Sequence, residues 1–323
     1  MSHDLSKLKE MINKDVKKSL QDSLISHKKP GKWVFNLGIC FAAAALCSII
    51  MTFFVERVLW VSVSVGLCLI FTIIANILFA VHFNKASKKL KEFHERLDFP
   101  KYYKKGLEMV TNKKVKRCLI QNQMIHKEFY IDKYSYINSF IIDEERSAFL
   151  NFQIGDNQVS YGTLAYNGRS KSMDYNDYFH ISKISSGSLH DFEMYFKLKP
   201  FKLPDNHEEV DLESVEFNQC ANVYSGNQVM TRKLFEPSTI KKVIESVGKK
   251  DQAKFIYLFV EGDGCFGEIK NYNVNRFKDG SLKDFLIDKD LDIQVDNIYN
   301  KVVRELKDIS QILDFVGILG LYE

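Results

Sequence analysis

Residues 255–270, FIYLFVEGDGCFGEIK, carry the pattern that decides how most of this chain folds. Side chains alternate along an extended backbone, so Phe255, Tyr257 and Phe259 share one side and Ile256, Leu258 and Val260 the other. With both sides apolar, this strand is expected to be central in a sheet and covered on each face. Gly262-Asp263-Gly264 then interrupts the run with residues that tolerate positive φ, which reads as a hairpin turn.

Working outward, residues 147–154 (SAFLNFQI), 159–166, 178–185 and 189–198 read as further strands, punctuated by GDNQ, YNGRS and SSGS. Their short connections predict an antiparallel meander. Residues 237–247 begin with Pro237 and are followed by Gly248, the asymmetry expected at the two ends of a helix. Ile298, Val302, Leu306, Ile309, Leu313 and Val316 recur at spacings of four and three, so the final helix must bury that stripe. Residues 119–323 are therefore expected to form an α+β domain with a mostly antiparallel sheet and flanking helices.

Two apolar runs precede this domain: residues 33–55 (WVFNLGICFAAAALCSIIMTFFV) carry no charge, and residues 58–83 carry only His82. A helix of the first run would reach about 35 Å at about 1.5 Å per residue, enough for a hydrocarbon core of about 30 Å. Only Glu56 and Arg57 lie between the runs, so a two-helix transmembrane hairpin is expected, its Asn36 and Asn76 joining the helices. Eight Lys/Arg in residues 1–32 and eight in residues 84–105 then predict a multi-pass cell-membrane protein with both termini cytoplasmic. On this reading residues 1–32 are a basic amphipathic N-terminal helix, 33–83 the hairpin, 84–118 a juxtamembrane helical stalk and 119–323 the cytoplasmic domain.

Leu5, Leu8, Ile12, Val16, Leu20 and Leu24 form one stripe of the N-terminal helix. Its polar side suggests contact with lipid headgroups, for which Lys14, Lys17, Lys18, Lys28, Lys29, Lys32, Lys85, Lys88 and Lys89 are the candidates. Packing of this helix on the folded domain is the alternative. Residues 1–96 carry 14 basic and 7 acidic groups, whereas the rest of the chain is slightly acidic, in a total of +4. A body that grips phosphates would hold the positive excess itself, so nucleic acid is not an expected partner, although residues 101–117 mix aromatics with seven Lys/Arg. The expected partners are the bilayer and a protein, or a second copy joined through the hairpin. Six scattered cysteines suggest free thiols, and 46% hydrophobic residues with 5 Pro and 16 Gly exclude collagen-like, proline-rich or wholly disordered chains.

Motifs with chemical content fall short of their patterns. Residues 262–270 resemble the glycine-rich phosphate loop of protein kinases, but 56 residues after Gly267 leave no room for a C-lobe, and neither HRDxxxxN nor DFG follows. Asp288, Asp290 and Asp292 imitate the start of a calcium loop that would need Gly at Ile293 and Glu at Tyr299. His94-Glu95 and His207-Glu208 begin HExxH patterns that end on Asp98 and Asp211. His126, His180 and His190 have no partners at metal spacing. The acidic runs 143–145 and 208–216 could hold a cation, with solvated loops the plainer reading. No catalytic residue, metal site or cofactor is therefore expected.

Residues 210–246 contain Leu212-Glu213, Glu216-Phe217, Val223-Tyr224-Ser225, Gln228 and a proline, Pro237, before a helix. This block resembles the bacterial domain-of-unknown-function family numbered 3137, and the likeness extends from about residue 85 to Leu321. Asn227 stands where the pattern has an acidic residue, Ala221 where it has an aromatic, and Phe235-Glu236 also departs. The resemblance implies a membrane-anchored protein and brings no catalytic residues. Phe217 and Tyr224 are expected to anchor the block in the core and Gln228 to satisfy nearby backbone. The function expected is a non-enzymatic interaction domain held at the inner face of the cell membrane. A tethered enzyme acting on a nucleotide or phosphate ester and an accessory subunit of a transport assembly are the alternatives.

Overall fold

The computed structural model describes residues 5–23, 96–123, 141–142, 147–167, 173–183, 191–196, 203, 205–247, 255–270 and 291–322, with isolated helical positions between 66 and 88. In chain order the elements are α1 (Ser6–Ser23), α2 (Phe99–Thr111), β1 (Val115–Gln121), β2 (Ile141–Ile142), β3 (Ala148–Ile154), β4 (Asn157–Asn167), β5 (Met173–Ser182), β6 (Phe192–Tyr195) and β7 (Glu208–Glu209). There follow α3 (Val215–Cys220), β8 (Asn222–Ser225), α4 (Gln228–Leu234), α5 (Pro237–Val247), β9 (Phe255–Glu261), β10 (Gly264–Ile269) and α6 (Leu291–Ile318). Residues 1–13, 98–281 and 295–323 form one unit, which holds the whole sheet; residues 14–97 and 282–294 form a second.

The strands build one ten-stranded sheet in the order β1-β3-β4-β5-β10-β9-β6-β8-β7, with β2 paired to β4 and the paired strands antiparallel. The expected meander is present as β3-β4-β5. Its continuation is not sequential, because the β9-β10 hairpin inserts between β5 and β6. The turn of that hairpin is Gly262-Asp263, and Gly262 adopts φ 57°, the positive φ that a two-residue turn asks of its first position when that position is glycine.

The register separates the sheet into two chemically different faces. One cross-strand row runs Leu150, Tyr161, Phe179, Gly267, Leu258, Met194 and Val223, and the next runs Phe152, Val159, Ile181, Cys265, Val260 and Phe192. All of these are buried. The helix α6 lies on this apolar face, since Phe315 packs on Phe255 at 4.4 Å and on Phe196 at 5.8 Å between ring centroids. Its stripe is the expected one: Ile298, Val302, Leu306, Ile309, Leu313 and Val316 are all buried. Burial of each such side chain contributes about 1.5–3 kcal/mol.

A glycine at position 267 is required by this packing. A Cβ there would lie 2.4 Å from the Phe179 ring and 2.9 Å from the Tyr257 carbonyl oxygen. The motif that imitates a phosphate loop is thus explained by ring packing across β5 and β10.

Asp98 caps α2, its Oδ1 accepting from the Lys101 amide at 3.1 Å. Pro100 sits in the first turn of α2, where its missing N–H costs nothing. It therefore opens a helix. The Tyr103 hydroxyl of α2 donates to Glu305 of α6. Of the lysine-rich residues assigned to a helical stalk, Lys101, Lys104 and Lys105 are in the helix α2, whereas Lys116 and Arg117 are exposed on the strand β1.

The transmembrane hairpin is the main correction. No helix among the described residues is long and apolar enough to cross a membrane, and the architecture present is a large antiparallel sheet with helices. Apolar length in a sequence satisfies only half of the requirement, because a span needs one continuous helix that is apolar all round. The longest helix here, α6 with 28 residues, is long enough but carries charges along one side and buries the other. Residues 33–55 and most of 58–83 lie outside the described residues. The membrane keywords and the two-pass cell-membrane localisation, which rested on that hairpin, fall with it. Of the two readings of the N-terminal helix, packing is the one seen: Leu8 and Ile12 are fully buried, and Lys9 reaches Asp296 of α6 at 2.6 Å and the Tyr299 ring at 5.7 Å.

Candidate functional site

The block 210–246 folds as a compact corner on the apolar face beside β6 and β8. Ser214 caps α3 by accepting from the Phe217 amide at 3.3 Å, and Asn227 caps α4 by accepting from the Met230 amide at 3.2 Å. These caps fix where each short helix starts. Phe217 is fully buried against Phe235 at 5.6 Å, and Phe235 in turn packs on Phe192 of β6 at 5.5 Å. Three rings thereby tie α3 and the start of α5 to the sheet. Tyr224 is buried, and Gln228 Nε2 donates to the carbonyls of Glu208 at 3.2 Å, Glu209 at 3.4 Å and Ser225 at 3.4 Å. The roles expected of Phe217, Tyr224 and Gln228 are those observed.

Between α3 and α5 this corner leaves an open groove of about 730 Å³. Its floor is apolar: Leu212 and Phe235 are buried, and Ile240 and Ile244 are half-exposed one turn apart on α5. Its rim is acidic. Asp211, Glu213 and Glu216 stand along one wall, Glu236 and Glu245 on the other, with Arg232 and Lys241 as the cations. Five carboxylates against two cations leave a local excess of negative charge on a chain whose total is +4. All seven charged groups are exposed. An apolar trough with an exposed charged rim is the form of a recognition surface.

The opposite face of the sheet is polar and aromatic. One row carries Phe149, Gly162, Tyr178, Glu268, Tyr257 and Tyr195, and the next carries Asn151, Ser160, His180, Phe266, Phe259, Glu193 and Tyr224. Glu268 therefore sits between two tyrosines. Burial pushes its carboxyl up to about 7, opposed in part by the hydrogen bond from Tyr257. Glu193 is buried and accepts from the Tyr195 hydroxyl at 2.6 Å. Burial first, and then that carboxylate, push the Tyr195 hydroxyl upward. His207 is buried between Asp191 at 3.5 Å and Glu193 at 3.8 Å. On the apolar face, Asp177 accepts from Thr163 at 2.6 Å, and burial, with Asp308 and Glu305 adding to it, holds its carboxyl well above the usual range.

Among the described residues no group of three His, Cys, Asp or Glu is placed to hold a metal ion. His207 faces the carboxylates of Asp191 and Glu193. Asp292 lies in the first turn of α6, where it opposes the positive helix end, while Asp288, Asp290, His94, His126, His190 and residues 143–145 lie outside the described residues. The free cysteines among the described residues are Cys118, Cys220 and Cys265; burial pushes the Cys118 thiol up to about 12 and raises that of Cys265.

Of the lysines proposed for lipid contact, Lys14, Lys17 and Lys18 are exposed on α1, and Lys88 is exposed at an isolated helical position. Lys28, Lys29, Lys32, Lys85 and Lys89 lie outside the described residues. The sequence reading reached Asp211, Glu213 and Glu216 only as an acidic run and missed Arg232, Phe235, Lys241 and Glu245. The available signal was the pair Ile240 and Ile244, spaced four apart on a short helix whose deeper stripe is Thr239 and Val243.

No family model, curated protein or solved structure matches this chain.

Proposed function

We propose that this chain is a binding module and not an enzyme, and that the groove between α3 and α5 is its recognition surface. The observation that carries the reading is the groove itself, with its apolar floor and a rim of exposed charge. The two carboxyls that burial raises, Glu268 and Asp177, lie buried in the sheet and do not line the groove. The nucleotide or phosphate-ester alternative finds less support, because Gly262-Asp263 is an exposed two-residue turn and Gly267 is taken up by Phe179.

The test is site-specific photocrosslinking of the full chain in its own cells, with a benzophenone amino acid at Lys241 and, as a control, at the exposed Asp156. An adduct specific to position 241, identified by mass spectrometry and then purified, should bind the chain and lose at least tenfold in affinity with Ile244→Asp. Identical adducts from both positions, or a purified partner indifferent to Ile244→Asp, would overturn the reading.

A further inference from the structure

We infer that the occupant of the groove is a cationic amphipathic helix of a partner protein, about three turns long. The inference rests on the reading of the groove as a recognition surface and adds the chemistry of what it recognises.

Three observations converge. The rim charge comes first: a segment rich in Lys and Arg meets carboxylates on both walls, whereas an acidic or phosphorylated segment would meet like charge. The floor is second. Leu212, Phe235, Ile240 and Ile244 offer a narrow apolar strip, which suits side chains recurring at three and four positions along one helix face. The walls are third. One is the helix α5 and the other is the turn at residues 211–214 leading into the capped start of α3, so neither lining segment is a strand that offers a regular ladder for an extended segment to join. A helix brings its own hydrogen bonds and needs no such ladder. The length follows from α5, whose 11 residues extend about 16 Å, room for three turns lying alongside. Arg232 and Lys241 add a register mark: they favour one carboxylate on an otherwise basic face of the incoming helix.

The experiment measures fluorescence anisotropy of the full chain with two labelled probe peptides, LKKLLKLLKKLLKL and its counterpart LEELLELLEELLEL. The cationic probe should bind at least tenfold tighter at about 50 mM salt, and the difference should shrink at about 300 mM as screening shortens the reach of the rim. The combined variant Glu213→Lys, Glu216→Lys, Glu245→Lys changes only exposed side chains and should invert the preference. Circular dichroism on the same samples checks that it folds. Equal affinity for both probes, or cationic binding that survives the reversal, overturns this inference. If a partner captured through position 241 proves acidic or extended, the inference fails while the groove remains a recognition surface. Binding of neither probe, together with no specific adduct at 241, defeats both.

Discussion

Glu268 is the residue at which burial and chemistry oppose each other most plainly. Its folded carboxyl titrates near 7 against an ordinary 4.5, because burial penalises the charge more than Tyr257 stabilises it. A raised carboxyl keeps its proton in the folded chain while the unfolded chain has released it. Stability is therefore fully present below about pH 4.5 and is lost as pH rises toward about 7, by roughly 3 kcal/mol in all. Asp177 acts with the same sign, so the contribution of Glu268 is read as a difference. In urea unfolding from pH 4 to 8, Glu268→Gln should show a flatter decline than the parent and be the more stable protein at pH 8. An unchanged slope would mean that the carboxyl is hydrated in the folded state.

At the scale of elements, the corner that makes the groove depends on one ring. Phe235 touches both Phe217 and Phe192, so its removal leaves a cavity between α3 and the sheet that backbone caps cannot close. Phe235→Ala should cost about 3–5 kcal/mol and should abolish probe binding before global unfolding, which chemical denaturation followed by near-ultraviolet circular dichroism can separate. The elements differ in how far the sequence announces them. Alternation marked β3 and β4, the proline and glycine at its ends marked α5, and periodicity marked α6; in β9 a register shift beside Ile269 turns Phe255 to the apolar face against Phe315, so the expectation that it shares a side with Tyr257 and Phe259 is corrected. β1 is hidden because Lys116 and Arg117 stand side by side near its start and Leu119 is exposed, so no apolar/polar alternation shows, and β8 because four residues are too few for a period to register. The groove was not legible as a unit, because its walls come from segments that only the packing of Phe217, Phe235 and Phe192 brings together.

At the scale of the molecule, two faces of unlike character divide the labour. The apolar face receives α6 and the corner helices. The polar-aromatic face carries buried Glu193, His180 and Glu268. β5, β10 and β9 lie at the centre of the strand order and are flanked on both sides, so their amides should exchange slowest with solvent, approaching the global unfolding limit, while α3 and α4 exchange faster through local opening. Hydrogen exchange with mass spectrometry resolves these segments, and fast exchange in β10 would contradict the register. The reading of two spanning helices failed at this same scale: residue counts measure how apolar a segment is, and no helix among the described residues is long and apolar enough to cross a membrane.

Consider finally the outer margin formed by β1. Among the described residues it ends the strand order, and Leu119 stands half in water there beside Lys116 and Arg117. An open margin of this kind invites a neighbouring molecule to dock its own strand, and two adjacent positive charges repel an identical copy that tries. Charge on a sheet edge is one of the features that discourage edge-to-edge pairing, and Lys116 and Arg117 place it on this one.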